Sequence, residues 1–134
     1  MLSIFPTLLA YGFFGITIVR VSIGITFLTL GYRTLTKERS GILSDIRKFK
    51  YFRPLFFLIL LAAFETIVAL SLLAGLYTQI GALIGALIAL KLLVLNLIGK
   101  SVTPHPRSFY ALLFIITFSL LFIGPGMYAF DLPL

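Results

Sequence analysis

Three ionisable residues stand inside long apolar runs of this sequence: Arg20, Glu65 and Lys91. Each would cost roughly 2.5–3.5 kcal/mol at the centre of a membrane helix, so each needs a partner, a polar cavity or a route to the interface. Arg20 falls near the middle of the first run and Glu65 near the middle of the second, which predicts a buried Arg20–Glu65 pair. On a helix, Arg20, Gly24, Phe27 and Gly31 share one face, and Ala62, Glu65, Thr66 and Ala69 share another. Small residues on both faces permit close backbone approach. Two roles stay open for the pair. It could be polar glue that fixes helix register, or Glu65 could be a proton-relay or quinone-site carboxylate held in its state by Arg20. Lys91 lies seven residues before the end of its run, ~10 Å from the interface, close enough to snorkel. The alternative is an internal cluster of Arg20, Glu65 and Lys91 with net positive charge, suited to an anionic ligand.

The elements that must position these residues are helices. The chain has 134 residues, 60% hydrophobic and 11% charged, where a soluble domain has about 25% charged residues. A soluble fold of this size could not hide so much apolar surface, but a bilayer can. Four runs approach the ~20 residues a span needs: Leu8 to Tyr32, Pro54 to Tyr77, Gln79 to Ile98, and Ser108 to Ile123. The expected architecture is all-α, a single domain over residues 1–134, forming an integral membrane four-helix bundle. Tyr77-Thr78-Gln79 allows only a tight antiparallel hairpin between the second and third spans. The third span carries Gly81 and Gly85 in a GxxxG pattern extended by Ala89. Such a stripe serves close packing, either inside the bundle or as a homodimer seam. The opening residues Met1-Leu2-Ser3-Ile4-Phe5-Pro6 have no basic segment, and no small-residue cleavage site follows. The first span is therefore expected to remain as a helix.

Charge sets the expected orientation. The segment from Arg33 to Arg53 holds Arg33, Lys37, Arg39, Arg47, Lys48, Lys50 and Arg53, and the loop after the third span adds Lys100 and Arg107. Both loops lie on one side of a four-span bundle, and the other side has Asp131 but no Lys or Arg. The excess of Lys and Arg places the basic loops in the cytoplasm and both termini outside. Within the first loop, Ile42, Leu43, Ile46 and Phe49 recur at helical spacing, with Ser40 or Ser44 as a cap. A short amphipathic interfacial helix follows, its cations toward anionic lipids. The basic balance therefore reports a lipid surface, not nucleic acid. The absence of cysteine excludes disulfides, thiolate metal sites and thiol redox chemistry. One histidine and four acids are too few for a metal centre, and His105, between prolines, is a poor haem ligand.

The order of motifs resembles the DoxX family of small bacterial four-span membrane proteins. Arg20 followed by an apolar run to Gly31-Tyr32 resembles that family's first helix. Glu65, followed by Gly75-Leu76-Tyr77-Thr78, resembles its second helix and tight turn. Gly124-Pro125-Gly126, with Asp131 beyond, resembles its closing motif. Where the family carries a lysine soon after the glycine of its first helix, this chain has Thr34. Thr66-Ile67-Val68-Ala69 replaces glycines that commonly follow the glutamate.

The resemblance implies a multi-pass protein of a bacterial-type cell membrane. Some DoxX-like proteins are associated with membrane oxidoreductases passing electrons from sulfur compounds to quinone; others are anchors for soluble redox and detoxification enzymes. With no cofactor ligands, this chain is expected to be an accessory membrane subunit rather than an enzyme by itself. No covalently bound cofactor is expected, and quinone and a redox partner protein are the candidate ligand and partner. The alternatives are a scaffold that recruits a soluble partner through Arg33 to Arg53, and a small anion or lipid transporter.

Overall fold

The computed structural model describes residues 11–36, 40, 54–97, 105–126 and 130. These hold four helices and no strand: α1 (Gly12–Thr36), α2 (Pro54–Ala74), α3 (Thr78–Leu97) and α4 (Arg107–Ile123). The sequence places helices in the same four regions, and the differences lie at the ends. α1 runs four residues past Tyr32, because nothing in Arg33–Thr36 breaks it and Arg33 in the last turn suits the negative end of the helix dipole. Arg20 is thereby only eight residues from the start of α1, not at its middle as expected. The amphipathic helix expected in the first basic loop lies outside the described residues.

The α2–α3 hairpin is built from Gly75, Leu76 and Tyr77, and Thr78 already belongs to α3, one residue earlier than the sequence suggested. The amides of Gly75 and Leu76 both return to the Ser71 carbonyl, at 2.9 and 3.1 Å. This reversal requires Gly75 at φ +68°, a conformation that costs glycine little. Tyr77 also has a positive φ, +49°, and its carbonyl receives the Gly81 amide at 2.9 Å. α4 follows Pro106 and stops where Gly124 turns to φ +89°.

α1 packs along α2 and α3 along α4, the hairpin joins the two pairs, and α1 touches α4 less extensively. Phe27, Ala69, Leu72, Ala82, Ala89, Tyr110 and Leu120 fill the centre. The outward faces remain apolar on all four helices, as at Phe13, Ile25, Phe56, Ile67, Leu83, Leu87, Leu112 and Phe122. α1 and α3 are long and apolar enough to cross a membrane. α4, at 17 residues, is apolar but spans ~26 Å, somewhat short of a ~30 Å hydrocarbon core.

Candidate functional site

Glu65 is buried where α2 crosses α1, at 1% exposure. Gly31 makes the crossing possible: a Cβ there would lie 3.0 Å from Thr66 Oγ1 and 3.4 Å from the Ala62 carbonyl oxygen. One turn further on, Thr34 Oγ1 is 2.9 Å from Glu65 Oε2 and 3.0 Å from the Leu30 carbonyl oxygen. A hydroxyl has a single proton. With Glu65 ionised, that proton faces two acceptors at once. With Glu65 protonated, the acid donates to Thr34 Oγ1 and the hydroxyl donates to Leu30, so both contacts become hydrogen bonds. The pair therefore gives a carboxyl proton a defined, hydrogen-bonded place.

A second polar group lies beside it, at the end of the bundle that faces the basic loops. Arg33 Nη1 is 2.9 Å from His105 Nε2. A guanidinium can only donate, so Nε2 accepts and a neutral His105 carries its proton on Nδ1. Burial first, and then the Arg33 guanidinium, hold His105 below the ordinary imidazole range. Asn96 Nδ2 donates to the His105 carbonyl at 3.0 Å. The His105 ring packs on Phe109 at 4.5 Å and edge-on to Tyr110 at 6.2 Å. This group ties together the ends of α1 and α3 and the start of α4.

Arg20 is at the other end. Its Nη1 donates to the Pro125 carbonyl at 2.7 Å, and the side chain is 2% exposed. The Gly124-Pro125-Gly126 turn folds back onto α1, with Gly126 at φ +73° and room beside Ile16 and Thr17 only for a residue without Cβ. The expected Arg20–Glu65 pair is thus not formed. Thr34, the partner of Glu65, is fourteen residues beyond Arg20 on the same helix, ~21 Å along the axis. The physical reason is that α1 begins late and ends late, which lowers Arg20 toward one surface and brings Thr34 to the level of Glu65.

Lys91 is exposed on α3, at one end of a groove of about 300 Å³ between α2 and α3 that is lined by Leu60, Leu61, Phe64, Leu87 and others. The charge of Glu65 reaches it across the α2–α3 contact. Of the three residues that the sequence suggested as one cluster, Arg20 stands apart at the far end, while Glu65 within the bundle and Lys91 on the outer face remain electrostatically linked. The small residues face their own neighbours. Gly24 meets Leu73 and the Ala69 carbonyl, Gly81 meets Ser71, and Gly85 meets Thr117, Val68 and Phe27. Ala89 is fully buried. Gly75 and Thr78 form the hairpin as described; Asp131 lies outside the described residues.

Sequence reasoning missed Thr34, Arg33, Asn96, His105 and Tyr110 as members of a polar site. Thr34 had a signal, since it stands where the resembling family has a lysine. For the others no local pattern existed, because they meet only through the packing of three helix ends. Among the described residues no three His, Asp or Glu side chains are grouped to hold a metal.

The model of one protein family, DoxX, matches residues 15–96. That stretch runs from the first turns of α1 nearly to the end of α3, and so includes Arg20, Thr34, Glu65 and Lys91. No curated protein and no solved structure matches the chain.

Proposed function

The chain belongs to the DoxX family and is a membrane protein, and from that premise we propose that it is the four-span membrane subunit of a quinone-linked oxidoreductase complex. In this reading all four helices cross the cell membrane, with both termini outside and the basic loops in the cytoplasm. The apolar outward faces of α2 and α4 support the two additional spans, since patches of that extent are rarely left to water. The observation that carries the redox reading is the Thr34–Glu65–Leu30 arrangement. A buried acid with a place for its proton is what a hydroquinone or quinone headgroup needs when electrons and protons move together. The chain itself supplies no electron carrier; a partner protein does.

The test is Glu65→Gln in the intact complex. Quinone-linked turnover should fall while the assembled complex is retained, and bound quinone should be weakened in mass spectra of gently purified material. Unchanged turnover would overturn the proposal.

A second reading, a scaffold for a soluble partner, draws support from the tight interior, where Gly85 already touches Thr117, Val68 and Phe27. Glu65 is then structural. Neutralising cations between Arg33 and Arg53 would release the partner, and retention of every partner would exclude this reading.

A further inference from the structure

The groove between α2 and α3 has a direction. Lys91 marks one end, and Leu60 and Leu61 flank it at the same level, each six or seven residues from the start of α2. From there the groove runs past Phe64 and Leu87 to Ile84, seven residues back along α3 from Lys91, ~10 Å. Its cationic end is nearer the basic loops and its apolar end points toward the hairpin. A phospholipid in the leaflet on the basic-loop side has the same polarity, headgroup at the loops and chains toward the midplane.

We infer that this groove holds an anionic phospholipid, its phosphate at Lys91 and part of one acyl chain along Leu60, Phe64, Leu87 and Ile84. The volume of about 300 Å³ is at the small end of ligand sites and suits a chain segment rather than a whole lipid. Charge selects the headgroup. Lys91 is the one charged residue in an otherwise apolar lining, and the chain as a whole carries +7, so an anionic lipid is drawn to this surface and a zwitterionic one is not. The ammonium is too deep to be bathed in bulk water but long enough to lift toward the interface, and a phosphate drawn slightly inward meets it there. Lys91 is exposed and electrostatically linked to the buried Glu65, so in this inference its charge is shared between Glu65 and the lipid phosphate. The inference does not depend on the redox reading, since neither Thr34 nor Glu65 lines the groove.

The experiment is native mass spectrometry of the full-length protein in mild detergent, titrated with phosphatidylglycerol or with phosphatidylcholine of identical chains. The wild type should retain the anionic lipid roughly fivefold better, the scale of one cation's attraction to acidic headgroups. Lys91→Gln should remove most of that preference, leaving what the basic loops contribute, and Lys91→Arg should restore it, while thermal unfolding in detergent reports whether each variant is folded. Leu87→Trp, which fills the groove from an exposed position, should lower retention of the anionic lipid with the charge still present. Equal retention of both lipids by the wild type, or a preference that Lys91→Gln leaves undiminished, would overturn the inference. So would displacement by millimolar inorganic phosphate, which would show an anion site without a chain groove, or ubiquinone outcompeting phosphatidylglycerol.

Discussion

At one end of the bundle a guanidinium meets a main-chain carbonyl, Arg20 to Pro125. At the other, Thr34 stands between Glu65 and Leu30, and Arg33 faces an imidazole. Both ends bury polar groups in an apolar protein, yet they differ in kind. Neither partner in the Arg20–Pro125 contact changes protonation near neutral pH, so the contact is a fixed clasp that holds the chain after α4 against α1. The basic-loop end contains a carboxyl, a hydroxyl and an imidazole, three groups whose protons can be relocated. The difference separates a fixed contact from groups that can exchange or reorient protons, and it is why the proposed chemistry is assigned to the basic-loop end.

The sharpest way to break this comparison is to alter one end and measure both activity and stability. Glu65→Gln should lower quinone-linked turnover of the intact complex by about 100-fold, the low end of what a positioned acid or base contributes. Its melting temperature in detergent should change little, because the amide still hydrogen-bonds to Thr34. Arg20→Leu should do the reverse. Removing the donor breaks the part-buried hydrogen bond to the Pro125 carbonyl, which should destabilise the fold by about 1–2 kcal/mol in a denaturation series, with turnover per folded complex unchanged. A large loss of turnover in Arg20→Leu would erase the distinction between the ends.

A smaller effect sharpens the role of Thr34. Thr34→Val keeps the shape but removes the hydroxyl between Glu65 and Leu30. Turnover should fall about tenfold, on the order of 1.4 kcal/mol, and Thr34→Ser should recover most of it. If valine and serine behave alike, the hydroxyl has no part in holding the proton.

The smallest effect is in pH. Folding keeps His105 neutral and lowers its pKa through burial and Arg33. A depressed pKa means that the unfolded chain binds the proton more readily. The stabilisation is therefore complete above the ordinary imidazole value of about 6.5 and declines as pH falls below it. Between pH 7.5 and 5.5 the melting temperature should drop by an amount within about 1 kcal/mol, one hydrogen bond's worth. His105→Phe should flatten that slope. Arg20→Leu should leave it intact, since the Arg20–Pro125 contact does not titrate in this range.

Several features were legible from single residues. The tight hairpin was legible from the short Tyr77-Thr78-Gln79 connection, and the structure makes the reversal slightly earlier, with Gly75 at φ +68°. The spacing of Gly81, Gly85 and Ala89 marked a close-packed face, and the structure spends that face inside the bundle. The burial of Glu65 followed from its place in an apolar run. Its partner did not, because two helices of similar hydropathy can slide by several residues with no change in composition. The register that joins Thr34, rather than Arg20, to Glu65 is fixed by where α1 begins and by the gap at Gly31.

The sequence by itself determined that this protein is helical, lies in a membrane and carries its ionisable groups at cost, because hydropathy and charge are properties of the chain alone. Only the tertiary structure decided which of those groups meet. Contacts such as Arg33–His105, seventy-two residues apart, and Arg20–Pro125, one hundred and five apart, depend on helix offsets of a turn or two. No local pattern encodes those offsets; close packing at a few small residues does.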